Sequence, residues 1–171
     1  MQQFTSANTS IRQRTASSGF TSYQKHYGFV SGAKILDYGG GRFDDAAKFM
    51  RPFGCRVYVY DPYNRSDEHN REVMKVMRSS KPEYIVCSNV LNVIKENSVV
   101  DAVVRRIFML CKSGTQCIFT VYEGNGKGIG KQTGPDQYQR NEKLKDYAKY
   151  IKRYFGDNFV IKYGMIIAWK G

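Results

Sequence analysis

The sequence predicts an α/β domain: a mostly parallel sheet, helices on both faces, and an antiparallel hairpin at the C-terminus. Three observations carry that prediction. Residues 34–45 read Lys-Ile-Leu-Asp-Tyr-Gly-Gly-Gly-Arg-Phe-Asp-Asp, an apolar run that ends in an acid, passes three glycines and opens into helical spacing. That order is strand, tight turn, helix. A second apolar run ends in Asp61, twenty residues after Gly41. Near the C-terminus, runs at 158–162 and 165–169 flank Tyr163-Gly164, a two-residue turn of hairpin type.

Taken in order, residues 1 to about 24 are rich in Ser, Thr and Gln, with no helical periodicity beyond one turn. They are expected to form an arm, or to be pinned by the domain. On this reading residues 1–30 are an N-terminal arm and 31–171 a single domain. Tyr23, Tyr27 and Phe29 begin a stretch expected to pack beside the first strand, 34–38. A helix over 44–53 follows, with Gly54 placed to end it. The second strand is 56–60, and Asp61-Pro62-Tyr63-Asn64 reads as a loop because proline cannot continue a ladder. A helix covers 68–78, and 84–88 is a continuous apolar run, the pattern of a strand buried on both faces. Only 22 residues separate Asp61 from Tyr84, too few for a helix, a strand and another helix. The sheet is therefore expected to be abbreviated in its middle.

Residues 97–111 carry Val100, Val103, Val104, Ile107, Phe108 and Cys111 at the spacing of a core-facing helix, and 116–122 reads as the next buried strand. Residues 123–135 hold five glycines and two lysines, read as a substrate loop on the active edge, with a plain linker as the alternative. A basic helix over 139–155 places Leu144, Tyr147, Ala148, Ile151 and Phe155 on one face, with Lys143, Lys145, Lys149, Lys152 and Arg153 largely outside it.

The ligand follows from charge. Glycines let backbone approach a ligand closely, and an acid at the tip of the second strand sits where nucleotide ribose hydroxyls lie. A dinucleotide would place its pyrophosphate on the first helix N-terminus, where Asp44 and Asp45 cap the helix but repel phosphate. S-adenosylmethionine has no phosphate and carries an ammonium and a sulfonium, so these acids argue for it over NAD or FAD. A glycine-rich turn in some other α/β protein is the competing reading.

At these residues the chain resembles class I S-adenosylmethionine-dependent methyltransferases, whose first motif runs acid-x-Gly-x-Gly-x-Gly. It matches at Asp37, Gly39 and Gly41 and departs at Phe43. The resemblance implies a Rossmann-like methyltransferase sheet. It implies cofactor contacts from Asp37, Gly39, Gly40, Gly41, Arg42, Asp44, Asp61, Pro62, Ser88 and Asn89. Asn89 is the candidate positioning group for the acceptor, and Tyr122 and Glu123 are the candidates for a base. Residues 88–94 lack the Pro-Pro-aromatic motif of base-amine methyltransferases, which disfavours that type. The runs 36–45, 61–63 and 90–94 look like the methyltransferase-like proteins associated with DNA phosphorothioation and their phage or bacterial relatives.

A net charge of +12 over 171 residues suggests an anionic partner, nucleic acid first. Residues 124–171 carry ten Lys/Arg against four acids, while residues 1–30 carry Arg12, Arg14 and Lys25 with no acid. The alternative is a basic surface kept for solubility. No apolar run reaches the roughly 20 residues of a membrane span. Four cysteines without CxxC spacing and two distant histidines argue for buried, reduced thiols, no metal and a cytoplasmic protein. The leading expectation is a methyltransferase, and the rival is a non-catalytic nucleic-acid-binding or regulatory protein on the same scaffold.

Overall fold

The computed structural model describes residues 1–9 and 16–171. Arg12 and Arg14 of the expected basic arm lie outside the described residues. Four parallel strands form where the apolar runs predict them: β1 (Lys34–Tyr38), β2 (Arg56–Tyr60), β3 (Tyr84–Ser88) and β4 (Gln116–Thr120). A short hairpin, β5 (Lys131–Gly134) and β6 (Gln137–Gln139), stands apart from them. The C-terminal hairpin, β7 (Phe159–Lys162) and β8 (Met165–Trp169), completes a sheet of order β2-β1-β3-β4-β8-β7. The chain leaves β1 toward β2 and then crosses back past β1 to β3. The tips of β1 and β3 are thus the switch point at which open α/β sheets bind ligands.

Helices cover both faces. On one, α1 (Ser18–His26) and α2 (Asp45–Met50) bury Phe20, Tyr23, Ala46 and Met50 against Ile35, Val86, Ile118 and Ile167. On the other, α3 (Asp67–Ser79), α4 (Asn97–Leu110) and α5 (Ala148–Phe155) bury Val73, Met77, Val104, Ile107, Ile151 and Phe155 against Leu36, Ile85, Cys117 and Ile166. The 62–83 segment holds α3 alone as regular structure, so β2 is a sheet edge and the expected abbreviation is a missing strand. All four cysteines are buried and free. Among the described residues no helix is long and apolar enough to cross a membrane.

Three expectations need correction. The N-terminal region contains α1, whose Phe20 is fully buried and whose Tyr23 hydroxyl donates to Gln116 Oε1 at 2.5 Å. Its polar composition hid the helix because only a narrow stripe, Gly19, Phe20 and Tyr23, faces the core. The helix expected over 139–155 begins later, as a 3-10 turn over Leu144–Tyr147 that runs into α5. Gln139 belongs to β6, and the buried Arg140 guanidinium is bound by Glu142, the carbonyls of Ile94 and Lys95, and Asn97 Oδ1. The glycine-rich segment is not a free loop: Gly128 N–H donates to Asn141 O at 2.7 Å, and its end forms β5.

If α1 is core, Phe20→Ala should cost roughly 3–5 kcal/mol of unfolding free energy in urea, as for a buried aromatic elsewhere. A loss below about 1 kcal/mol would mark it as an attached arm.

Candidate cofactor cleft

Asp61, at the tip of β2, organises the switch point. Its Oδ2 accepts the Gly41 N–H at 2.9 Å, and its Oδ1 accepts the amides of Tyr63 and Asn64, each at 2.9 Å. Its own main chain is clamped by Asn70 of α3, which donates to Asp61 O at 2.8 Å and accepts from Asp61 N at 3.1 Å. Arg65 holds the other side of the glycine turn through Gly41 O at 2.7 Å and Phe43 O at 2.9 Å. One carboxylate and one guanidinium therefore fix the turn that sequence reasoning assigned to its glycines alone. Removing Asp61 would leave three backbone donors without this acceptor. The side chain is a structural strut as well as a cleft wall.

The glycines are required by close packing within the protein. A Cβ on Gly40 would overlap the Asp37 carboxylate, and one on Gly39, at φ +76°, would overlap Val90. Asp37 is only 6% exposed, and its carboxylate takes no hydrogen bond among the described residues. Burial and the neighbouring Asp61 push its carboxyl up to about 7, against a smaller opposing effect of Arg65. Asn89 adopts φ +59° beyond β3 and donates its N–H to Thr120 O at 2.9 Å, which turns the chain into the cleft. Ser88 Oγ and Thr120 Oγ1 lie 2.5 Å apart beside it.

Together these tips enclose a cleft of about 910 Å³. The structure brings Asp37, Gly39, Gly40, Gly41, Asp61, Pro62, Ser88, Asn89 and Tyr122 to its wall. It does not bring Arg42, Asp44 or Glu123 there. Arg42 donates to Ala7 O and Asn64 Oδ1 on the outer side of the turn. Asp44 precedes α2, but its side chain makes no cap; it pairs with Arg65 at 2.9 Å instead. Asp45 does line the cleft. Glu123 accepts the Leu144 amide at 2.8 Å and so serves the 3-10 turn before α5.

Two further walls carry no mark in the sequence. Residues 1–9 close over the cleft: Thr5 N–H and hydroxyl both donate to Asp136, Gln3 N–H donates to Glu96 at 2.9 Å, and Phe4 stacks on Tyr138. Beside them, the buried Asn92 donates to Gln139 Oε1 at 3.0 Å, and Gln139 donates to Tyr122 O at 2.8 Å. The closure and the Asn92–Gln139 pair join segments more than 40 residues apart, for which local patterning carries no signal.

This sheet order, switch-point turn and acid-tipped second strand define an α/β ligand-binding domain, and comparison supplies the class. The chain matches the family model "Methyltransferase domain" over residues 10–156, and it belongs to that family. Its fold is that of S-adenosylmethionine-dependent methyltransferases. It is similar to 1,6-didemethyltoxoflavin-N1-methyltransferase of Burkholderia thailandensis, solved with S-adenosylhomocysteine, at 18% identity and TM-score 0.64 over 89% of this chain and 76% of that one. It is similar to an S-adenosylmethionine-dependent methyltransferase of Clostridium acetobutylicum at 12% identity and TM-score 0.57, over 96% and 94%. Human N-acetylserotonin methyltransferase, in complex with S-adenosylmethionine, aligns at 15% identity and TM-score 0.55 over 81% of this chain. The chain spans about half of that enzyme's length, 48%. No curated protein matches the chain.

The raised Asp37 group has a signed consequence. The folded protein holds this proton up to about pH 7, whereas the unfolded chain releases it near the ordinary value of 3.8. Its contribution to stability is therefore greatest at low pH and declines as pH rises toward 7. Asp37→Asn should remove that decline and unfold at higher urea concentration than wild type at pH 8. Parallel wild-type and variant stability curves between pH 5 and 8 would contradict the assignment.

Proposed function

We propose that the protein transfers the methyl group of S-adenosylmethionine to an acceptor held beside Asn89 and Tyr122. The charge of the cleft carries the reading. Asp37, Asp45 and Asp61 line it, against the single cationic side chain of Arg106 among the described residues. An acid-lined wall disfavours a pyrophosphate and suits an ammonium and a sulfonium. The family match and the cofactors in the structures of similar enzymes support the same ligand.

The residues present fit that cofactor. Asp37, beneath Gly40, offers a carboxylate to its ammonium, and Asp61 Oδ2, with one protein donor, has capacity left for ribose hydroxyls. Val93, Val99 and Val103 offer an apolar wall to the adenine. When bound, S-adenosylmethionine supplies a methyl group already activated by the sulfonium. The chain's part is then to align the acceptor and exclude water. Residues 1–9 provide the exclusion, and Asn89, Gln139 and Tyr122 provide polar groups for alignment.

Two observations bear on the acceptor. The +12 charge supports nucleic acid. The closure of the cleft by residues 1–9 supports a small molecule, the kind of acceptor named for the human and Burkholderia enzymes. The non-catalytic alternative is favoured by the cleft wall, which contains no His, Lys, Cys or Glu among the described residues.

Asp61→Ala should weaken S-adenosylhomocysteine by roughly 1.5–3 kcal/mol in calorimetry, as for loss of a hydrogen bond to a charged group. It should also lower stability, because Gly41, Tyr63 and Asn64 lose their acceptor. Incubation with methyl-tritiated S-adenosylmethionine, a total nucleic-acid fraction and a small-molecule extract should label one of the two. Tight cofactor binding with label in neither would establish the non-catalytic alternative.

A further inference from the structure

We propose that the groove between α3 and the open sheet edge at β2 is a track for single-stranded nucleic acid. The inference rests on the nucleic-acid reading of the charge and assigns that charge a place other than the α5 face. The groove, of about 830 Å³, is walled by Arg71, Met74, Lys75 and Arg78 on α3 and by Tyr60 and Pro62. Arg71, Lys75 and Arg78 are exposed and make no ion pair among the described residues, and the only acid on the wall is Asp67. A helical rise of about 1.5 Å per residue spreads the three cations over roughly 10 Å of one track.

The cations of α5 are differently placed. Lys152 pairs with Asp157 at 2.8 Å, Arg153 pairs with Asp101 at 3.2 Å, and Lys149 lies over the Tyr150 ring. Part of the charge that dominates the sequence count is thus already engaged within the protein.

Two further features select the polymer. The half-buried Tyr60 lines the groove and gives one ring for base stacking beside cations for phosphate, and Tyr63, 44% exposed, follows beyond Pro62 on the cleft side. An acidic peptide adding a strand to β2 is disfavoured. Arg56 N–H and Tyr60 O are bonded on the β1 side, which leaves Val57 and Val59 facing outward. His69 Nε2 already occupies Val59 O at 2.7 Å, which interrupts the outward ladder at Val59. The track also reaches the cleft: Pro62 lines both, and the Tyr60 hydroxyl accepts from Arg106 of the cleft at 3.4 Å.

Fluorescence anisotropy with labelled fifteen-residue oligothymidine and a labelled polyglutamate of equal length, from 50 to 300 mM KCl, tests this. Arg71→Gln/Lys75→Gln/Arg78→Gln should bind the oligonucleotide at least tenfold more weakly. Its log–log salt slope should be shallower by about 2, near 0.7 for each phosphate of a single strand that is no longer neutralised. Lys145→Gln/Lys149→Gln/Lys152→Gln should stay within about twofold of wild type. Arg78→Gln alone, expected near threefold, serves if the triple variant fails to fold. Weakened binding in the α5 variant with none in the α3 variant would overturn the location while sparing nucleic-acid binding. No oligonucleotide binding by wild type would overturn both. Equal binding of polyglutamate with the same variant sensitivity would overturn the choice of polymer and make the groove a protein-docking surface.

Discussion

The bond between the Asp61 carboxylate and the Gly41 amide joins the two strand tips on which the rest of the site is built. A buried carboxylate is tolerable only where charge-assisted hydrogen bonds replace its water. Asp61 receives three from backbone amides, so its charge is held by the turn it shapes. Asp37 lies under Gly40 without such donors among the described residues, and burial beside Asp61 raises it toward neutrality. Two acids on adjacent strands thus have different duties. Asp61 sets the backbone through its three amide bonds; Asp37 is raised toward neutrality, where a bound cation would ionise it.

Charge is partitioned through the molecule. Among the described residues the cleft wall carries Asp37, Asp45 and Asp61 against the one arginine Arg106, whereas the chain as a whole carries 27 Lys/Arg against 15 Asp/Glu. A cationic cofactor inside and an anionic partner outside would therefore not compete for the same field. The abbreviated sheet contributes to this arrangement. With no strand beyond β2, α3 flanks an open groove that meets the cleft at Pro62.

Much of the frame was legible in the sequence because strand–turn–helix order, apolar runs and a two-residue hairpin turn are local signals. β2, β3 and β8 fall on the residues their runs marked, and Gly54 ends its helix at φ +75°. The cleft was legible only in part. Asp37, Asp61 and Asn89 stand at strand tips, which sequence order predicts, and they reach the wall. Asp44 and Glu123 also stand near element ends, but nearer partners, Arg65 and the Leu144 amide, take their carboxylates. The closure by residues 1–9 and the Asn92–Gln139 pair depend on contacts between distant segments, and no period or spacing encodes those. α1 was missed for another reason: three core-facing residues in a Ser- and Thr-rich stretch are too few to register as a helical stripe.

The central claim is that an acid-lined switch point selects a cationic, phosphate-free cofactor. Titration calorimetry of the whole chain with S-adenosylmethionine, S-adenosylhomocysteine and NAD under identical buffer tests it most directly. Binding of both sulfur compounds with no measurable heat from NAD is the predicted result. Tight NAD binding with no response to either sulfur compound would contradict it.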